Sequence, residues 1–312
     1  YNKPLNTVSQ GFYTGLNGFN YSFYSKYQLN NSNFNYEIAS DNKSNISQIF
    51  IYNYFNKTLD FAFSYKYIHP NSRLQFNNIL TNYSTKSNES GFFTYLTLNK
   101  SKYINTLFID FFSRPKIDVI QDMPQSGIDI FDEFSYKVNS KFTYLTRVRL
   151  RNYKDFIKST PNYFDKQRVD FRNEIKYNGE IDVRFRLDLV KMNFSEERYE
   201  GFGLLAFIEI NKKLFKGNNT NLRFTYYDTD SYNEAIWHYE YLVFGYLASP
   251  PLYNNGYKII FKSSNKILNY FLLSFAVTYD YGINFKTFGS GLNEIPKNSY
   301  TRFYLQMDYN LK

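Results

Sequence analysis

Phe142-Thr143-Tyr144-Leu145-Thr146-Arg147-Val148-Arg149-Leu150-Arg151 decides the fold class, because it changes character at every second residue. Phe142, Tyr144, Thr146, Val148 and Leu150 share one side, and Thr143, Leu145, Arg147, Arg149 and Arg151 share the other. A period of two belongs to a strand, where successive side chains point to opposite faces. The pattern recurs twice downstream. Val169, Phe171, Ile175 and Tyr177 alternate with Arg168, Asp170, Arg172, Glu174 and Lys176. Ile181, Val183, Phe185, Leu187 and Leu189 alternate with Asp182, Arg184, Arg186 and Asp188. Each segment has an oily face and an ionic face, which asks for two different solvents.

Short turns separate these segments. Val138-Asn139-Ser140-Lys141, Tyr177-Asn178-Gly179-Glu180 and Lys216-Gly217-Asn218-Asn219 are rich in residues that tolerate positive φ. Longer connections are expected over 114–126, 152–165, 193–199 and 281–297, with Pro115, Pro124, Pro161 and Pro296 inside them. Alternating short and long connections mark bacterial outer-membrane barrels. Further strands are predicted over about 18–28, 32–41, 46–56, 58–69, 72–84, 89–100, 103–113 and 127–138. Others follow over about 201–213, 220–228, 236–248, 256–264, 267–280 and 299–311. The expectation is an all-β chain: a transmembrane antiparallel β-barrel of about 16 strands, with 14 to 18 allowed, forming one domain over 1–312. The last strand fits, since Phe303, Leu305, Met307, Tyr309 and Leu311 alternate with Arg302, Tyr304, Gln306, Asp308 and Asn310. A soluble β-sandwich or adhesin-like domain is the competing reading, but it has no use for an apolar outward face on every strand.

Composition narrows the classes further. The 312 residues include 33 Tyr and 33 Phe but one Trp, and mean hydropathy is −0.52. So many rings exclude a disordered chain, and 8 Pro with 14 Gly exclude collagen-like character. The absence of Cys excludes disulfides, thiolate metal sites and cysteine nucleophiles. A net charge of +9 favours anionic partners, although the charges are spread along the chain. The most apolar run, Leu268 to Val277, is about half of the ~20 residues a membrane helix needs. No export signal opens the chain, so any such signal is expected to have been removed or to lie outside these residues.

With the apolar faces toward lipid, Arg147, Arg149, Arg151, Arg168, Arg172, Arg184 and Arg186 line a lumen together with Asp170, Glu174, Asp182 and Asp188. This ladder reads either as an anion-preferring wall or as a structural network of cross-strand pairs. Asp228, Asp230, Asn233 and Glu234 place oxygens at near-alternate positions, as in a calcium loop, but without its glycine and distal glutamate spacing; a solvated turn is the competing reading. No metal or other cofactor is expected. His69 precedes Pro70, and His238 lies in Trp237-His238-Tyr239-Glu240. A rim-located lipase or protease needs a paired His, and no G-x-S-x-G elbow is present. The chain is therefore expected not to be an enzyme.

Several pieces carry a further signal: Asp110-Phe111-Phe112-Ser113-Arg114-Pro115, Pro124-Gln125-Ser126-Gly127, Arg147-Val148-Arg149 and Tyr239-Glu240. Phe224-Thr225-Tyr226-Tyr227-Asp228-Thr229-Asp230-Ser231-Tyr232 and Gly289-Ser290-Gly291-Leu292-Asn293-Glu294-Ile295 join them. Through these, residues from about 105 to the end, roughly two thirds of the chain, resemble the barrel portion of the helix-hairpin-helix outer-membrane proteins of Bacteroidota, the competence-protein-like group. The resemblance implies an outer-membrane location and a barrel fold. The helix-hairpin-helix repeats that usually precede such barrels are not in this sequence, so the resemblance implies no DNA-binding role through them.

The function expected is a passive pore or translocation conduit, or the barrel subunit of a larger envelope complex. Its partners would be outer-membrane lipid and other envelope proteins. The alternative is a surface protein whose loops or lumen capture an anionic polymer such as DNA, motivated by the positive charge.

Overall fold

The computed structural model describes residues 20–71, 88–114, 125–157, 160–195, 199–214, 218–243, 245–268, 271–284, 287–289 and 294–309. Twelve strands come first: β1 (Asn20–Leu29), β2 (Ser32–Asp41), β3 (Ile46–Phe55), β4 (Leu59–Ile68), β5 (Glu89–Asn99), β6 (Tyr103–Arg114), β7 (Gln125–Lys137), β8 (Phe142–Ile157), β9 (Thr160–Tyr177), β10 (Ile181–Phe194), β11 (Tyr199–Lys212) and β12 (Asn218–Thr229). Four two-residue strands follow: β13 (Ile236–Trp237), β14 (Glu240–Tyr241), β15 (Leu247–Ala248) and β16 (Pro251–Leu252). Three long strands close the chain: β17 (Asn255–Leu268), β18 (Phe271–Gly282) and β19 (Ser299–Tyr309). Hydrogen bonding runs in chain order through β1 to β12, then β17, β18 and β19, as one 15-stranded sheet. Every pairing whose register is defined is antiparallel, as short hairpin connections require.

Local chemistry explains the tight turns. Asn30 adopts φ 49° between β1 and β2, the left-handed region that Asn tolerates best after Gly. Asn139 Oδ1 accepts from the amides of Lys141 and Phe142, both at 2.9 Å, which closes the turn from β7 into β8.

Packing divides the chain into two compact units. One comprises Tyr1–Glu133, Arg149–Arg168 and Phe194–Arg198; the other comprises Phe134–Val148, Val169–Asn193 and Tyr199–Lys312. In the first unit, one face of the strands carries Tyr27, Phe34 and Tyr52, with successive rings 6.3 and 4.9 Å apart. The opposite face buries the Lys66–Glu89 ion pair, 2.5 Å long. The second unit repeats the division more sharply. Phe224, Phe303, Leu305 and Met307 are 45, 72, 74 and 67% exposed, while Arg223, Glu209, Lys258 and Asp280 on the alternate face are 5, 7, 1 and 2% exposed. Water-soluble sheets do the reverse, burying the apolar face and wetting the charged one.

What buries the charged face is the connection from β12 to β17. Ile236 and Leu252 of this segment join Val190, Leu205, Phe207 and Tyr227 of the long strands in one cluster. Leu242 packs with Ile260 and Ala276 in another.

Several sequence expectations are corrected. The expected strand over 236–248 is not a member of the large sheet; its alternation is real, but it reflects an extended segment lying on other strands. Its ladders are two residues long: Ile236↔Leu252 with Trp237↔Pro251, and Glu240↔Ala248 with Tyr241↔Leu247. The connection expected over 152–165 is largely strand, with Pro161 as the second residue of β9, a strand start where a missing N–H is tolerated. The described residues place 15 strands in the sheet, within the expected 14 to 18, and 19 in all once the four two-residue strands are included. The strand expected over 72–84 lies outside the described residues, and β4 pairs directly with β5.

Candidate functional site

The charged face of the second unit forms a linked array. Asp188 on β10 accepts from Arg172 Nε on β9 at 2.6 Å and from Arg186 Nε at 2.8 Å. One strand on, Glu209 of β11 lies between Arg184 of β10, at 3.1 Å, and Arg223 of β12, whose Nε donates at 2.6 Å. Arg223 and Glu209 are register partners, so the bond follows from the pairing itself. The ring of Phe207, two residues before Glu209, has the guanidinium carbons of Arg223, Arg184 and Arg186 at 4.9, 5.0 and 5.6 Å. An aromatic face attracts such cations.

The inserted segment completes the array. His238 is 2% exposed and lies edge-on to Phe207 at 5.1 Å. Its Nε2 accepts from Arg223 Nη1, which leaves the ring proton on Nδ1. Burial, reinforced by the nearby charge of Arg223, holds this imidazole far below its ordinary pKa, so it is neutral. Glu240 meets Lys258 Nζ at 2.5 Å, Lys258 reaches Asp280 at 3.1 Å, and Asp280 meets Arg302 at 3.4 Å. Six cations and four carboxylates interleave from β9 to β19, so most of the positive charge is offset within the array.

Of the expected ladder, Arg172, Arg184, Arg186 and Asp188 are brought together here. Arg149 belongs to the first unit and forms a bidentate pair with Asp129 of β7, at 2.9 and 2.5 Å. Glu174 is buried and pairs with Lys176 at 2.9 Å. Arg147, Arg151, Arg168 and Asp170 are half-buried on β8 and β9. Asp182 departs from the expected ladder: it is exposed at the start of β10 and accepts from the Gly179 amide at 3.1 Å, stabilising the Asn178-Gly179 turn. Asp129, Glu209, Arg223, Glu240, Lys258, Asp280 and Arg302 stood outside the expected ladder, because none lies in a dense run of alternating charges like 147–151 or 168–176. A signal existed in Asp280, the single charge of β18, and in Lys258, which interrupts the apolar run from Tyr257 to Phe261.

The calcium-like stretch lies at the end of β12 and in the turn that follows it. Asp228 Oδ2 accepts from the Tyr226 hydroxyl at 3.3 Å, and Asp230 Oδ2 from the Phe202 amide at 2.7 Å. Glu234 is buried, with the hydroxyls of Tyr199 and Ser231 each donating to it at 2.8 Å, and the Asn233 amide donates to Ser231 Oγ at 3.1 Å. These side chains serve separate partners, and among the described residues no three potential ligands converge on a metal position. Glu234 fits only because Gly201 and Gly203 of β11 have no side chain; a Cβ on Gly201 would stand 2.3 Å from Glu234 Oε1. The Gly201-Phe202-Gly203 pattern inside a strand is the sequence sign of that close approach.

No protein-family model matches the chain, and no curated protein matches it in sequence. Among solved structures it is similar to a loop-deleted OmpT, an outer membrane protein of Vibrio cholerae, at TM-score 0.47 and 7% identity over 93% of this chain and 89% of that one. It is also similar to an anion-selective porin from Comamonas acidovorans, at TM-score 0.40 and 8% identity over 94 and 99%. The toluene transporter TodX of P. putida follows at TM-score 0.32 and 9% identity over 97 and 96%. The expectation that the chain is not an enzyme is withdrawn, because a missing G-x-S-x-G elbow excludes only one hydrolase geometry. A likeness at 7% identity assigns no activity to this chain.

Proposed function

We propose that this chain is a single-domain β-barrel of the bacterial outer membrane, related to the Bacteroidota group named above. It passes solutes passively through a lumen lined by its charged face, alone or as the barrel subunit of an envelope assembly. One observation carries this reading: apolar side chains occupy the exposed face of the strands, while charged ones occupy the covered face. Hydrocarbon stabilises the first arrangement and a polar interior the second. The segment between β12 and β17, anchored on the charged face, would narrow the passage.

Capture of an anionic polymer has less support. Arg149, Arg172, Arg184, Arg186 and Arg223 already bind Asp129, Asp188 and Glu209, so most of their charge is offset within the wall. The proposed pore is accordingly weakly ion-selective. Conductance of the purified chain in planar bilayers tests it. Discrete steps with little preference between potassium and chloride are expected; bilayers that stay sealed at all applied voltages would reject the pore.

A further inference from the structure

The inserted segment has a second face. Ile236, His238, Glu240 and Leu242 are buried at 4, 2, 0 and 3% exposure, whereas Trp237, Tyr239 and Tyr241 between them are 54, 59 and 61% exposed. The buried half pins the backbone. Arg223 Nη1 donates to the Tyr239 carbonyl at 3.1 Å, Lys262 Nζ to the Tyr241 carbonyl at 3.0 Å, and Glu240 is paired with Lys258. Three rings are therefore held at every second residue of an extended chain, roughly 6–7 Å apart. Among the described residues none of the three stacks on another ring. Leu247, 54% exposed, pairs with Tyr241 and extends the apolar strip.

Displaying so much aromatic surface is costly in water, and the pinned backbone prevents its collapse. The charges nearby narrow what fits. Arg223, Lys258 and Lys262 are engaged by the segment itself, so an anionic ligand gains little there. What matches an indole and two phenols in a row, each with a polar edge, is an uncharged chain of flat units with apolar faces and hydroxyl edges. We propose that Trp237, Tyr239 and Tyr241 form a stacking platform for a linear neutral oligosaccharide. Delivery of solute to the platform rests on the pore reading; binding to it does not.

Trp237 is the chain's one tryptophan, so its emission reports on the platform directly. The full chain in detergent micelles is titrated with maltohexaose as the neutral probe. A saturable change in emission is expected. Tyr239→Ala and Tyr241→Ala should each raise the half-saturation concentration about tenfold, the scale of one lost stacking contact. Tyr239→Phe, which keeps the ring, should shift it far less and serves as the folding control. No saturable change, or saturation insensitive to both alanine variants, would overturn the proposal. So would saturation by single-stranded oligothymidylate with none by the sugar. A chain that binds the sugar without conducting loses the pore and keeps the platform; one that conducts without binding loses the platform alone.

Discussion

Glu209 is the only carboxylate bonded to both Arg184 and Arg223 among the described ion pairs, and Arg223 also bonds His238. Removing one partner of a buried pair leaves a charge without compensation, which costs more than replacing both. Glu209→Gln should therefore destabilise the refolded protein by about 3 kcal/mol in urea titrations. Adding Arg223→Met should recover part of the loss. His238 makes a separate prediction. Its pKa is held far below the unfolded value of about 6.5 by burial and by Arg223. Below pH 6.5 the unfolded chain takes up a proton that the folded chain refuses, so stability falls as pH falls, by up to about 1.4 kcal/mol per pH unit. His238→Gln should lose this part of the pH dependence between pH 6.5 and 5 and leave the rest. Identical slopes in the two proteins would contradict a buried neutral imidazole.

At the scale of elements, the two-faced strand is the unit that explains both stability and environment. Phe224 lies near the middle of β12 on the exposed apolar face. Phe224→Arg should cost about 2–4 kcal/mol when the protein is refolded in lipid vesicles; a neutral or stabilising effect would signal an aqueous face. Gly201→Val should push Glu234 off β11 and expose the β12–β17 connection to protease, with the long strands retained. These strands were legible in sequence because period two survives wherever a strand separates two solvents, as over 142–151 and 181–189. The 236–248 segment was misread for the same reason: alternation reports two surroundings, not a ladder partner. The array from Glu209 to Arg302 was hidden because register, not sequence proximity, brings its members together. Thr225↔Lys258 and Lys258↔Asp280 are pairings that no local pattern announces.

At the scale of the molecule, the β12–β17 insert covers the polar face of the second unit, whose apolar face is left uncovered. If the insert narrows a passage, replacing 232–252 with a short Gly-Ser linker should raise single-channel conductance severalfold; unchanged conductance would remove the insert from the conducting path. The absence of Cys makes the environment of each face directly measurable, since every introduced thiol is unique. Nitroxide labels placed singly at Phe303, Tyr304, Leu305, Gln306 and Met307 in lipid vesicles would report collisions with dissolved oxygen and with a water-soluble nickel chelate. Strict alternation is expected, with oxygen favoured at 303, 305 and 307 and the chelate at 304 and 306. Chelate access at all five positions, in a chain that stays monomeric without any amphiphile, would contradict it.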